Sequence, residues 1–528
     1  MNFYLWILFG SLRAISSDRG VIMLPLIVLL LPPLALGFLS LGAKVSTGPR
    51  PRRLRRVLGP ASWLGLGAVV LEAWALFVLG SFEREGMAMG VLWALQSDGL
   101  SLAFGGLLAV LGGVLVRFAR VHLDGEAREG AFQSALLLAL GAGWLLAHSA
   151  SWPVTLLALG LQGLSVAALL NFYGERLGAR RQAQRFLRSW WVSDGLLAGA
   201  AVLLSTPVLS AWPATSTVAA CGLVLAAALK AALWPVHRWL TEALEVPAPV
   251  SALFHAGVVS AGVIVLLRQA PLLAGEPVAL GLLLALGLLS LVLGLLFAAA
   301  QGTVKESLAF STVNQMGLLF VQLGLQLWPL ALLHAVSHGL YKAHAFLRSG
   351  SAVRPPAARP SAPPSNALVL GSMLGHGALY VALLVLAQIS IEPLAVSAQA
   401  LGLGLFLSLA LGARVGAVVA EGAGLVRGLT PVLSTAVLGL FLCMHEVAYG
   451  LWGSNFAEPG ALTLGEGLGL GALVALGSAV AFFLATIERW RRLPWVARAR
   501  VAFARGVLPK APKEAALPAA DSSLFPSA

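Results

Sequence analysis

Three ionisable residues in one apolar stretch pose the functional question: His334, His338 and Lys342, within HAVSHGLYK. Spacings of four and four put all three on one face of a helix, with Ser337 and Tyr341 flanking it. A lone buried histidine is usually a hydrogen-bonded packing residue. Three titratable groups in register form a ladder along which a proton can step, because imidazole titrates near neutrality and a desolvated ammonium readily gives up its charge. A second cluster lies in LKAALWPVHRWLTEALEVPAPVSALFHAG at 229–257. Here Lys230 precedes Pro235, whose missing N–H interrupts a helix and frees a carbonyl. Within membranes such interruptions are tolerated where they line a cavity. Pro249 suits the first turn of the next helix, which carries His255. Glu242 and Glu245 in the connection read as a solvated loop face or as an entrance that attracts cations. The other acids inside apolar stretches are Glu72, Asp194, Glu421 and Glu446. Glu72 and Asp194 have no near-sequence partner, so any partner is tertiary. Glu446 directly follows His445, and adjacent helical residues do not face each other.

The elements that must position these groups are membrane helices. The chain has 528 residues, of which 59% are hydrophobic before its 58 glycines are added and 11% are charged. Soluble domains run at about 45–50% apolar with glycine included, and about 25% charged. Mean hydropathy is +0.88. A soluble globule, a disordered chain and a fibre are excluded; this much apolar surface needs lipid. Ionisable groups at membrane depth are costly, and so become functional candidates by default.

Segments of about 20 apolar residues give about 15 spans. They lie near 21–42, 61–80, 98–117, 131–148, 152–173, 190–208, 213–233, 249–268, 277–299, 307–326, 329–347, 366–390, 398–420, 430–452 and 466–488. No alternation with aromatic girdles suggests a β-barrel. The predicted class is therefore an all-α polytopic membrane protein. Its organisation is an N-terminal apolar segment (1–20), a core (21–350), a Pro-rich linker (351–365), C-terminal transmembrane helices (366–488) and a basic, then Ala/Pro-rich tail (489–528).

The formal net charge of +13 would suggest nucleic acid in a soluble protein. Here its placement says otherwise. Basic residues gather on every second connection: Lys44 to Arg56, Arg117 to Arg128, Arg176 to Arg188, then Arg238, Lys305, Arg348 to Arg359, Arg427 and the tail. The opposite connections hold only Arg84 and Arg268. Positive residues accumulate on the cytoplasmic side, which predicts a cytoplasmic C-terminus and linker and an external N-terminus. No nucleic-acid partner is expected. Two cysteines, Cys221 and Cys443, offer neither a disulfide framework nor a metal-ligand spacing.

The stretch from Lys230 through His255, together with VKESLAFSTVNQMG at 304–317, HAVSHGLYKA at 334–343 and SDGLSL at 97–102, resembles the antiporter-like subunits of respiratory complex I and Mrp cation/proton antiporters. The resemblance runs over about residues 90–350 and implies a core of roughly 14 helices in two inverted repeats, each with a broken helix. It places Lys230, His255, Lys305, His334, His338 and Lys342 at positions linked to a proton path, with Asp194 tuning a lysine. The complex I pattern has a glutamate in the fifth helix; here LGLQGLSVAALLNFYGER offers Gln162. Asp194 and Glu72 are the candidates to replace it, and Glu421 and Glu446 are auxiliary candidates. LLNFYGERLGARRQAQRFL and LYKAHAFLRSGSAV are similar to the DabB family, membrane subunits of inorganic-carbon accumulation complexes. That resemblance implies no cofactor in this chain and a DabA-like partner on the cytoplasmic face, a zinc carbonic-anhydrase subunit. It implies no catalytic site in this chain: proton flux, or sodium flux, would drive one-way CO2 hydration in the partner. The other reading is a pump subunit of a complex I, hydrogenase or Mrp-type assembly.

Overall fold

The computed structural model describes residues 63–79, 82–88 and 91–352 except 211, 213 and 244, with short pieces at 371–372, 375, 378–379, 447–453 and 456. Helix α1 (Leu64–Leu79) is followed by a hairpin, β1 (Phe82–Ala88) and β2 (Val91–Ser97), antiparallel with Phe82 opposite Ser97. Then come α2 (Gly99–His122), α3 (Glu129–Ala147), α4 (Trp152–Leu170), α5 (Leu177–Ser205), the short α6 (Pro207–Ser210) and α7 (Thr215–Lys230). After α8 (Arg238–Thr241) follow α9 (Ala248–Ala256), a 3-10 turn (Val258–Ser260), α10 (Ala261–Arg268) and α11 (Ala270–Ala274). The described core closes with α12 (Pro277–Ala300), α13 (Val304–Gly324) and α14 (Trp328–Arg348).

The protein is mainly helical, and five described segments are long and apolar enough to cross a membrane: 99–122, 129–147, 152–170, 248–268 and 277–298. The hairpin is a short addition to an otherwise helical architecture. It fills the connection between α1 and α2, where Gln96 donates its backbone N–H to the His148 carbonyl at 2.8 Å and so ties the hairpin to the end of α3. Helix α5 also begins 13 residues before the predicted span at 190. LGARRQAQRFLRS is too polar for lipid, but it satisfies its backbone bonds within a helix all the same.

Local sequence sets the ends that matter. Asp98 caps α2: its carboxylate accepts from Ser101 N–H at 2.9 Å, while Ser101 Oγ accepts from Asp98 N–H at 2.8 Å. Helix α7 stops at Lys230, with Ala232 at φ 53° and Pro235 unable to supply a further N–H. The span predicted over 249–268 is likewise interrupted, between α9 and α10. Residues 1–62 and most of 353–528 lie outside the description. They include the linker, the tail, the C-terminal spans and the candidates Glu421 and Glu446.

Two close approaches fix the helices around the site. A Cβ at Gly163 on α4 would lie 2.5 Å from Trp190 Cδ1 on α5. One at Gly339 on α14 would lie 2.9 Å from the Ala256 carbonyl on α9. Small residues let membrane helices pack backbone to side chain at such points.

Candidate functional site

Lys230 is the last residue of α7 and is wholly buried. Its Nζ donates to Asp194 Oδ1 on α5 at 2.6 Å and sits 3.7 Å from the ring centre of Trp190, one turn earlier on α5. The indole is held in turn, because Trp190 Nε1 donates to the Leu159 carbonyl at 2.9 Å. An ammonium at depth is thus supported by one carboxylate and one aromatic face. The sequence placed both charges in apolar helices but could not pair them.

A second group forms where α9, α13 and α14 meet. His255 Nδ1 lies 3.1 Å from Thr312 Oγ1, and its ring stacks on Phe346 at 4.2 Å. On α14, the His334 and His338 rings lie 6.2 Å apart. His334 is bracketed by amides of α13: Nδ1 to Gln322 Oε1 at 2.8 Å and Nε2 to Gln315 Oε1 at 3.0 Å. His338 is buried and its Nε2 has no hydrogen-bond partner among the described residues. Lys342, fully buried, donates to the Leu308 carbonyl at 2.9 Å and to Ser311 Oγ. It has no carboxylate partner among the described residues. The ladder therefore faces Ser311, Gln315 and Gln322 of α13, while Thr312 of the same helix meets His255. These neutral residues are the part that sequence reasoning missed; their shared helical face was the available signal.

Aromatic rings lie between the two groups. Trp190 meets Phe186 at 5.0 Å, Phe186 meets Phe254 at 5.6 Å, and Phe254 meets His255 at 5.8 Å. Lys305 stands apart at the start of α13, half-buried, with Nζ 3.5 Å from the Val246 carbonyl. Glu242 accepts from Arg238 at 2.9 Å and pairs with Arg185, so it belongs to a basic loop network. Gln162 is buried and its Oε1 is unpartnered among the described residues. Glu72 meets His148 on the hairpin side of the helices, in a separate polar cluster. Among the described residues no three His, Cys, Asp or Glu side chains converge to hold a metal ion.

Known proteins are similar to the region that holds these groups. The model of the NADH:quinone oxidoreductase/Mrp antiporter transmembrane family matches residues 149–361, which contain both groups. The "Probable inorganic carbon transporter subunit DabB2" of Halothiobacillus neapolitanus is 39% identical over 275 residues, 49% of each chain. The "Probable inorganic carbon transporter subunit DabB" of Hydrogenovibrio crunogenus is 33% identical over 52% of this chain and 55% of its own. The match thus spans about half the length of these curated relatives. Among solved structures, the Mrp complex of Dietzia sp. is similar with a TM-score of 0.59 and 21% identity, over 90% of this chain and 59% of that one. An archaeal membrane-bound sulfane sulfur reductase is similar with a TM-score of 0.56 and 15% identity, over 91% and 92%. These two likenesses show the fold alone. Residues 149–361 are thus similar to the antiporter transmembrane family of complex I and Mrp, and the likeness to the DabB subunits covers about half of the chain.

Proposed function

We propose that this antiporter-like membrane subunit conducts a cation, a proton in the first instance and sodium in the second, and thereby energises an inorganic-carbon accumulation complex. Lys230 is the central relay and Asp194 its counter-ion. His255, His338, His334 and Lys342 continue the path along α9 and α14, and Lys305 marks its loop-side end. The partner is a DabA-like zinc carbonic-anhydrase subunit on the cytoplasmic face, and cation flux makes its CO2 hydration run one way. The setting is a bacterial inner membrane with the C-terminus inside.

The observation that carries the reading is the pairing of buried Lys230 with half-buried Asp194 at 2.6 Å. Two further buried groups, His338 and Lys342, lie on one face of a neighbouring helix. Lipid penalises each such group, so their accumulation needs a task. The names carried by the curated relatives support inorganic carbon as that task. A second reading, a subunit of a redox-linked or Mrp-type pump, draws on the family match over residues 149–361.

Expression with and without the genomic neighbour in a carbonic-anhydrase-null host tests the first reading. The pair should restore growth in air, an uncoupler should abolish the rescue, and Lys230→Ala should abolish it too. No rescue by the pair would overturn the carbon reading; rescue that survives Lys230→Ala would remove the proposed path.

A further inference from the structure

At the hairpin end of the helices lies a titratable cluster outside the relay. Glu72 of α1 is wholly buried, and its Oε1 takes three contacts. Ser97 Oγ donates to it at 2.7 Å, Ser101 Oγ lies at 3.1 Å, and His148 Nε2 lies at 2.9 Å. Its Oε2 is buried with no partner among the described residues. His148 Nδ1 lies 2.9 Å from the Trp144 carbonyl. A carbonyl can only accept, so Nδ1 carries a proton. The Nε2 to Oε1 contact then requires a proton of its own, shared between imidazole and carboxylate. The resting pair is net neutral, and the second carboxylate oxygen is left open for one further proton.

Hydrogen bonds link the cluster to residues that line a polar cavity. Ser101 Oγ also lies 2.8 Å from the Asp98 carbonyl, and Asp98 pairs with Arg268 while accepting from Gln96 at 2.8 Å. Gln96 and Arg268 line a polar cavity of about 110 Å³, together with Ser149, Ser151, Thr155 and Gln269. That is room for several water molecules with polar partners. The charged and titratable groups around Glu72 are therefore His148, Asp98 and Arg268. Helix α2 runs about 36 Å from Asp98 to His122, so this cluster stands at the end opposite the basic connections.

We propose that Glu72 and His148 form a proton-exchange site on the non-cytoplasmic side, tied by the hydrogen bonds of Ser101 and Asp98 to Arg268, which borders the cavity. This rests on the cation-conducting reading above. Loading places on Glu72 Oε2 a proton delivered as hydronium, which leaves water and gives a neutral acid beside an imidazolium. Unloading returns the same proton, and no bond between heavy atoms changes.

The full complex, reconstituted in liposomes with an internal pH dye, tests the site with protons as the probe. Wild-type flux should vary with pH on the hairpin side. Glu72→Gln should cut the flux at least about tenfold and flatten that dependence. Wild-type flux and pH dependence in Glu72→Gln would overturn the proposal. A second measurement reads the site without transport. In pH-difference infrared spectra of the full complex, a buried carboxylic acid band should vanish in Glu72→Gln and shift in His148→Gln; spectra unchanged in both variants would overturn it. If the wild type conducts no protons, the conduction reading fails, and the infrared result alone decides the site.

Discussion

One added methyl, Gly163→Ala, tests the packing that holds the site. The new Cβ would lie 2.5 Å from Trp190 Cδ1 and 2.7 Å from Nε1. Ordinary contact begins at 3.4 Å, so the indole must retreat by about 0.9 Å or α4 must move away from α5. Retreat strains a 2.9 Å bond from Nε1 to the Leu159 carbonyl, and a buried N–H left unpaired costs about 1–3 kcal/mol. It also removes the ring face from Lys230 Nζ, now at 3.7 Å, where a desolvated cation–π contact contributes up to about 2 kcal/mol. These terms are not independent, because one displacement causes both. Overpacking by a single methyl typically costs about 1–3 kcal/mol, and this site should lie in the upper part of that range. The assay is paired: thermal unfolding of the purified complex in detergent, and cation flux in liposomes. The variant should melt lower and conduct less, while Gly160→Ala on the same helix, where a Cβ meets nothing within 4 Å, should do neither. Wild-type melting and flux in Gly163→Ala would refute the idea that Trp190 is a fixed platform for Lys230.

Other outcomes follow from the same geometry. Gln315→Leu removes the amide that lies 3.0 Å from His334 Nε2, so it should destabilise the complex by about 1–3 kcal/mol and slow flux; unchanged unfolding would show that His334 does not depend on Gln315. Glu175 and Arg128 form an exposed pair at 3.1 Å, in which the guanidinium's hydrogen bond holds the Glu175 carboxyl below its ordinary range. Any stabilisation is therefore complete above the ordinary carboxylate range and is lost as pH falls through the lowered value. Glu175→Gln should differ little from wild type at neutral pH, and any difference should vanish in high salt or acid.

The sequence made some of this visible and hid the rest for identifiable reasons. The ladder of His334, His338 and Lys342 was legible because helical period alone puts positions four apart on one face. The break after Lys230 was legible because Pro235 lacks an N–H. The partner of Lys230 was not: Asp194 lies 36 residues away and meets it only through the packing of α5 on α7. Ser311, Thr312, Gln315 and Gln322 escaped notice because neutral polar residues cost little in a helix and draw no attention singly. The hairpin 82–97 was hidden between two hydrophobic spans, since a single short strand pair leaves no long alternation. The early start of α5 was missed because hydropathy reports contact with lipid, whereas a helix needs only its own backbone bonds. Glu72 showed as a charge at depth, but its pairing with His148, 76 residues on, is wholly tertiary.

The central claim is that Lys230 and Asp194 act as one ion-relay unit, and a double-mutant cycle of cation flux tests it most directly. Flux would be measured in liposomes for wild type, Lys230→Met, Asp194→Asn and the double variant. The account predicts that each single change abolishes most of the flux and that the double change adds little to either, as for groups that act together. Full flux in Lys230→Met, or independent and multiplicative losses in the double variant, would contradict it.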